Sequence, residues 1–366
     1  MESGSLEPVV EASSVVPRIA STLRLSRGDS IRVVLITALI LFTLFALPAW
    51  LPLNWIDTAT TAVIYAIVAL GLGVLVGRVG MISLGQAAVL ALGGWVSARL
   101  CFATALPYPI VLILAGLITM VLGTVIGLPA LRVSGLYLAL VTLMLAGAIT
   151  IVLGVTNFPN GGKGFLAYND IPVGTPPSIR RPSIAQADPA FLRYSVVVAV
   201  LMFLLALWHI RSKPGRAWAA IRQSEPAALA AGVNVTVYKM WAFALASFVT
   251  GVAGGLLGSA SHVLYTYQFP TSQSIVLFAV VLMGGIYSLW GAVVAGVLLW
   301  VVPEFFTVWG WPADLPTVLF GIGVLQVLTT APSGLAHQVP KDLARLGRLL
   351  AGLARRAVPA PTNRAP

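Results

Sequence analysis

Residues 222–232 read RQSEPAALAAG, with Glu225 as the lone carboxylate among several cations. These types suit a charged docking element better than bond-making chemistry. Ser224 is an N-cap residue, and Glu225 then falls in the first helical turn, where the helix dipole favours a negative charge. Pro226 is tolerated there because its missing N–H is not needed. Ala227 and Ala228 are strong helix formers, and Gly232 suits a left-handed helix end. The stretch therefore predicts a stiff helix of about two turns. Just before it, Pro214 and Gly215 break an incoming helix, and Arg216 to Arg222 form a short amphipathic one. Such a pair is either an ordinary interfacial loop or a coupling helix that docks into another protein.

Other chemistries find no constellation. His209, His262 and His337 lie far apart, so no metal-ligand spacing arises, and no metal or cofactor is implied. Cys101 is the only cysteine, which excludes an intrachain disulfide and reads as a buried, inert thiol. No nucleophile is accompanied by a base on the same face. The phosphate-cradling pattern G-x-x-x-x-G-K-[ST] is absent; NGGKG has the Lys but not the upstream Gly. The chain is therefore expected to be a non-enzyme. None of the 11 acidic residues sits at the middle of an apolar run, so no proton relay is evident; were the chain to move a solute uphill, the energy would come from elsewhere or from a sodium site built of carbonyls and hydroxyls. Ser83, Gln86, Tyr137 and Thr142, polar residues within apolar runs, together with Ser288, are the candidate solute path.

The elements that must position these residues are membrane segments. The chain of 366 residues is 58% hydrophobic and 9% charged, with mean hydropathy +0.95. Its apolar runs approach the ~20 residues needed to cross a bilayer. They are continuous rather than alternating, which excludes a β-barrel. The fold class is all-α and polytopic, with about ten segments: 33–51, 58–77, 81–99, 107–127, 135–155, 194–210, 240–262, 274–287, 290–308 and 315–331. Two of these, 81–99 and 274–287, are short or glycine-interrupted and read as broken.

The net charge of +11 reflects basic loops and tails, not nucleic-acid binding. With both termini cytoplasmic, 17 of the 22 Lys and Arg fall on the cytoplasmic side. Arg99 is an exception that can snorkel from a helix end. The expected organisation is a basic N-terminal tail (1–32), a transmembrane domain (33–332) and a basic C-terminal tail (333–366). Within the domain, loop 156–193 is extracytoplasmic and loop 211–239 is the cytoplasmic coupling loop. In the tail, Leu343, Leu346, Leu350 and Leu353 recur at helical spacing beside arginines, either a lipid-facing amphipathic helix or a disordered segment. Glycine pairs such as Gly251/Gly255 indicate close helix packing. GMISLGQA (80–87) and GIYSLWGA (285–292) share G-x-x-S-L-x-x-A at two expected cytoplasmic turns, which over eight residues of a Gly/Ala/Leu-rich chain reads as coincidence rather than duplication.

The stretch GRAWAAIRQSEPAALAAGVNVTVYKMWAFALASFVTGVAGGLLGS resembles the cytoplasmic loop of permease subunits of ATP-binding-cassette importers. It is most similar to the branched-chain amino acid permease family, and to the longer of that family's two permease subunits. GRVGMISLGQAAVLALGGW (77–95), GLPALRVSGLYLALVTLMLA (127–146) and VLMGGIYSLWGAVVAGVLLWVVPE (281–304) match in the same order. The resemblance covers roughly residues 58–306. It implies a multi-pass subunit of the bacterial inner membrane, working with ATP-binding subunits, a second permease subunit and an extracytoplasmic solute-binding protein. Glu225, Ala227, Ala228 and Gly232 would then belong to the helix that fits the ATPase. Gln86 stands where the family usually has His, and Val276 where it often has Glu. Two alternatives stay open: a related permease for urea, amides or a sugar, and a self-contained secondary transporter or channel.

Overall fold

The computed structural model describes residues 37–128, 133, 135–155, 179–262, 264–312, 315–330, 334–336 and 338. The C-terminal amphipathic stretch and most of loop 156–193 lie outside these residues. The chain divides into two units, Met1–Phe42 and Thr43–Pro366. In the first, only a short helical stretch is described; the site lies in the second.

Every regular element among the described residues is helical. They are α1 (Thr37–Trp50), α2 (Leu53–Leu72, continued by the π-helical turn Gly73–Val79), α3 (Gln86–Ala103), α4 (Tyr108–Gly127), α5 (Leu136–Val155) and α6 (Asp188–Arg211). Then follow α7 (Lys213–Gln223), α8 (Glu225–Ala230), α9 (Val235–Ser261), α10 (Thr271–Gly284), α11 (Leu289–Val308) and α12 (Leu315–Thr330). Helices are the expected answer for an oily chain, because lipid offers no partner to backbone N–H and C=O groups. Seven of them, α2 with its π turn, α3, α4, α5, α6, α9 and α11, are long and apolar enough to cross a membrane. The remaining apolar helices are shorter.

The ends of several elements differ from the hydropathy reading, each for a local reason. The segment read as 81–99 begins as a helix only at Gln86, because Gly80 turns left-handed (φ 86°) and 80–85 is non-helical. The helix consequently runs on to Ala103, and Arg99 is buried at 5% exposure instead of snorkelling from an end. α6 starts at Asp188, six residues before the apolar run, with the acid in its first turn and a proline at its start. α9 starts at Val235, where the Asn234 side chain accepts from the Val237 N–H at 3.2 Å. Polar first turns of this kind lower a hydropathy window without stopping a helix.

α9 is the core. It packs on α3, α4 and α2, and the small residues make this possible. A Cβ on Gly254 would lie 2.2 Å from the Leu90 carbonyl oxygen, so only glycine allows α3 and α9 to meet there. At the end where α3 and α9 terminate, two consecutive arginines hold them. Arg180 donates to the Cys101 oxygen at 2.7 Å. Arg181 donates to the Ser259 and Gln186 oxygens at 3.2 and 3.1 Å, pairs with Asp188 and covers the Phe191 ring. Carbonyls left over at helix C-termini are thereby satisfied by positive groups.

Candidate functional site

At the opposite end, α7, α8 and the start of α9 form one tied unit. α7 is amphipathic: Ala217, Trp218 and Ile221 are buried while Arg216 is exposed. The Trp218 indole donates to the Tyr238 oxygen at 2.8 Å, which anchors α7 on α9. Ser224 adopts extended geometry, and its hydroxyl accepts from the Ala227 N–H at 3.4 Å. Six helical residues follow, and the chain leaves through Gly232 at φ 79°. Nothing crowds Gly232, so the need for glycine there is purely conformational. The Gly232 and Val233 N–H groups return to the Leu229 and Ala228 oxygens, both at 2.9 Å, closing the helix end.

Of the residues predicted for this helix, Glu225, Pro226, Ala227 and Gly232 are exposed, whereas Ala228 is buried against its own chain. Two participants were not singled out from the sequence. Lys239 on α9 pairs with Glu225 at 2.6 Å, so the carboxylate ties α8 down rather than standing free. Leu229 is 59% exposed and makes the outer face of α8 apolar.

Arg222 joins this unit to the membrane helices. Its guanidinium donates to the Gly77 oxygen at 2.7 Å and lies 4.3 Å from the centroid of the Tyr287 ring. Gly77 precedes the break at 80–85, and Tyr287 sits in the break between α10 and α11. The two breaks share a local form. Gly80 and Gly285 both have positive φ, and three residues later Ser83 and Ser288 accept from the N–H two positions on, at 3.4 and 3.2 Å. The pattern G-x-x-S-L-x-x-A thus marks two similar turns. They also touch: a Cβ on Gly77 would lie 2.0 Å from the Ile286 oxygen.

Three of the candidate path residues come together and two do not. The Leu84 N–H donates to the Thr142 hydroxyl at 2.9 Å, which places Ser83 beside α5. Ser83, Gln86 and Thr142 are all buried. The Gln86 amide nitrogen, the Thr250 hydroxyl and the Thr119 hydroxyl are buried with no hydrogen-bond partner among the described residues. They sit on α3, α9 and α4, along the seam of the core. Tyr137 is 73% exposed on the outer surface, and Ser288 belongs to the second break.

The family profile described as "Branched-chain amino acid transport system / permease component" matches residues 54–328. The chain is 30% identical over 289 residues to the high-affinity branched-chain amino acid transport system permease protein LivM of Salmonella typhimurium, covering 74% of this chain and 68% of that one. It is 29% identical over 295 residues to LivM of Escherichia coli, with the same coverage. No solved structure matches. A match over three-quarters of the chain, on a polytopic helical fold with broken helices, shows that the chain belongs to the branched-chain amino acid transport system permease family.

Proposed function

We propose that this chain is the transmembrane permease subunit of an ATP-binding-cassette importer of the bacterial inner membrane. It moves branched-chain or related amino acids with ATP hydrolysed by separate subunits, beside a second permease subunit and an extracytoplasmic solute-binding protein. The observation that carries this reading is the α7–α8 unit. Its outer face, with Leu229 and Ala227, is exposed, and its inner face is anchored by Trp218 and by the Glu225–Lys239 pair. A short stiff helix can pass a push inward, and Arg222 connects it to both helix breaks. The unpartnered Gln86, Thr250 and Thr119 groups support a hydrated path along the core seam, since each is costly to leave unsatisfied, by about 1–3 kcal/mol.

The test is co-expression with the ATP-binding subunits of the same genome, followed by capture of the full chain. The ATP-binding subunits are expected to co-purify and the chain alone to show no ATPase activity. Leu229→Asp is expected to abolish co-purification while the chain still inserts. Uptake of labelled leucine, isoleucine, valine, urea and a sugar by the reconstituted complex then identifies the solute. Transport by the chain alone in ATP-free proteoliposomes would overturn the reading.

A further inference from the structure

α10 is too short to cross a membrane: its 14 residues rise roughly 21 Å against a ~30 Å hydrocarbon core. Its C-terminal end lies at the second break, which touches the first through Ile286 and Gly77. Its N-terminal turn lies at mid-depth. There the Gln273 amide donates to the Tyr65 hydroxyl at 2.8 Å, and Tyr65 stands halfway between Leu53 and Gly77 on α2 and its π turn. The chain leading into the turn is also deep, because Phe269 meets Trp95, in the middle of α3, with 5.5 Å between ring centroids. Irregular backbone at that depth is stable only where protein buries it or where it lines an aqueous path.

Three buried polar groups at this turn have no hydrogen-bond partner among the described residues. They are the Ser274 hydroxyl, the Gln273 carbonyl oxygen and the indole N–H of Trp300, whose ring lies 5.3 Å from that of Tyr65. Ser274 is 2% exposed. Helical side chains lean toward the N-terminus, so Ser274 and Gln273 point back over the first turn, where N–H groups have no place in the helix ladder. Pro270, the N-cap residue, supplies no side-chain cap. The turn thus sets donors, from the backbone, Ser274 and Trp300, beside an acceptor, the Gln273 oxygen. Ser272 on the same turn is exposed, which leaves this end of α10 open on one side. α10 carries no charged residue, and Tyr65, Trp95, Phe269 and Trp300 are uncharged.

We propose that the N-terminal turn of α10 binds the zwitterionic head of an α-amino acid, its carboxylate on Ser274, Trp300 and the backbone N–H groups, its ammonium on the Gln273 oxygen. This rests on the importer reading above and names the groups that hold its solute. A helix N-terminus favours an anion through its dipole and its free N–H groups. Donors on one side and an acceptor on the other match a carboxylate and an ammonium carried by one carbon. These side chains have no net charge, which selects a solute of no net charge, since an unpaired charge at this depth is costly. Urea and sugars bring no anionic group to the helix end. Tyr65 is a positioning residue: its hydroxyl holds the Gln273 amide nitrogen and leaves the oxygen free.

Saturation-transfer NMR on the full permease complex, without its solute-binding protein, tests the site. The probes are leucine, isocaproate, which lacks the ammonium, and isoamylamine, which lacks the carboxylate. Leucine is expected to bind, and isoamylamine about tenfold more weakly, the order of one hydrogen bond to a charged group. Ser274→Ala should weaken leucine and isocaproate alike, by about tenfold, and Ser274→Thr, which keeps the hydroxyl, should retain most of the binding. Gln273→Leu should weaken leucine and leave isocaproate unchanged, with Tyr65→Phe acting in the same sense but less. Leucine binding unchanged in Ser274→Ala and Gln273→Leu would overturn the site, as would no leucine signal from the wild type. Should Gln273→Leu fail to assemble, the Ser274 pair decides alone. ATP-driven leucine uptake by the wild-type complex with its binding protein judges the importer reading separately. If uptake fails, that reading falls; if uptake holds while the variants bind like wild type, only this site falls.

Discussion

The two ends of the bundle use arginine in opposite ways. Where α3 and α9 terminate, Arg181 has a carboxylate, several carbonyls and an aromatic ring around it, and its side chain is 6% exposed. At the other end, Arg222 reaches one carbonyl and one ring, has no carboxylate partner among the described residues and remains exposed. The first end has its helix termini tied. The second has two broken helices meeting through glycine, with the Arg222 guanidinium bridging Gly77 of the first and Tyr287 of the second. An arginine at full coordination makes a clamp; one with two contacts makes a joint that can open at low cost.

That contrast can be broken at three places. Arg181→Ala should have the largest effect on stability, about 3 kcal/mol, because it leaves Asp188 and the α9 carbonyls without their partner. Chemical unfolding of the detergent-solubilised protein measures it. Gly77→Ala should come next, at about 1–3 kcal/mol, since its Cβ meets the Ile286 backbone and forces the two breaks apart. The same assay reads it, and protease sensitivity at 80–85 should rise. Arg222→Ala should cost least, under about 1 kcal/mol for an exposed side chain, yet lower ATP-driven uptake more than Arg181→Ala does at equal protein level. Equal stability losses for Arg181→Ala and Arg222→Ala would remove the distinction between clamp and joint.

Much of the α8 unit is legible in the chain itself. Ser224, Glu225, Pro226 and Gly232 act on backbone within a few residues of themselves, so their types alone place a short capped helix. The family resemblance likewise rests on stretches whose order survives in one dimension. The position of the first break is less legible, because Ser83 and Leu84 are compatible with a helix that simply continues. The role of Glu225 is half legible. Its place in the first turn follows from spacing, but its pairing with Lys239, 14 residues on, requires α8 to fold back on α9.

Composition and local pattern by themselves determined that this is a polytopic helical protein, where most of its segments lie, and that a stiff helix interrupts loop 211–239. Hydropathy, capping and φ preference are properties of neighbours in the chain, and they need no partner to act. Only the tertiary structure decided what the arginines do. Arg222 meets Gly77 across 145 residues, and Arg181 meets Ser259 across 78. Which carbonyl a guanidinium reaches depends on helices packed at the closeness their glycines permit, and no local preference encodes that distance.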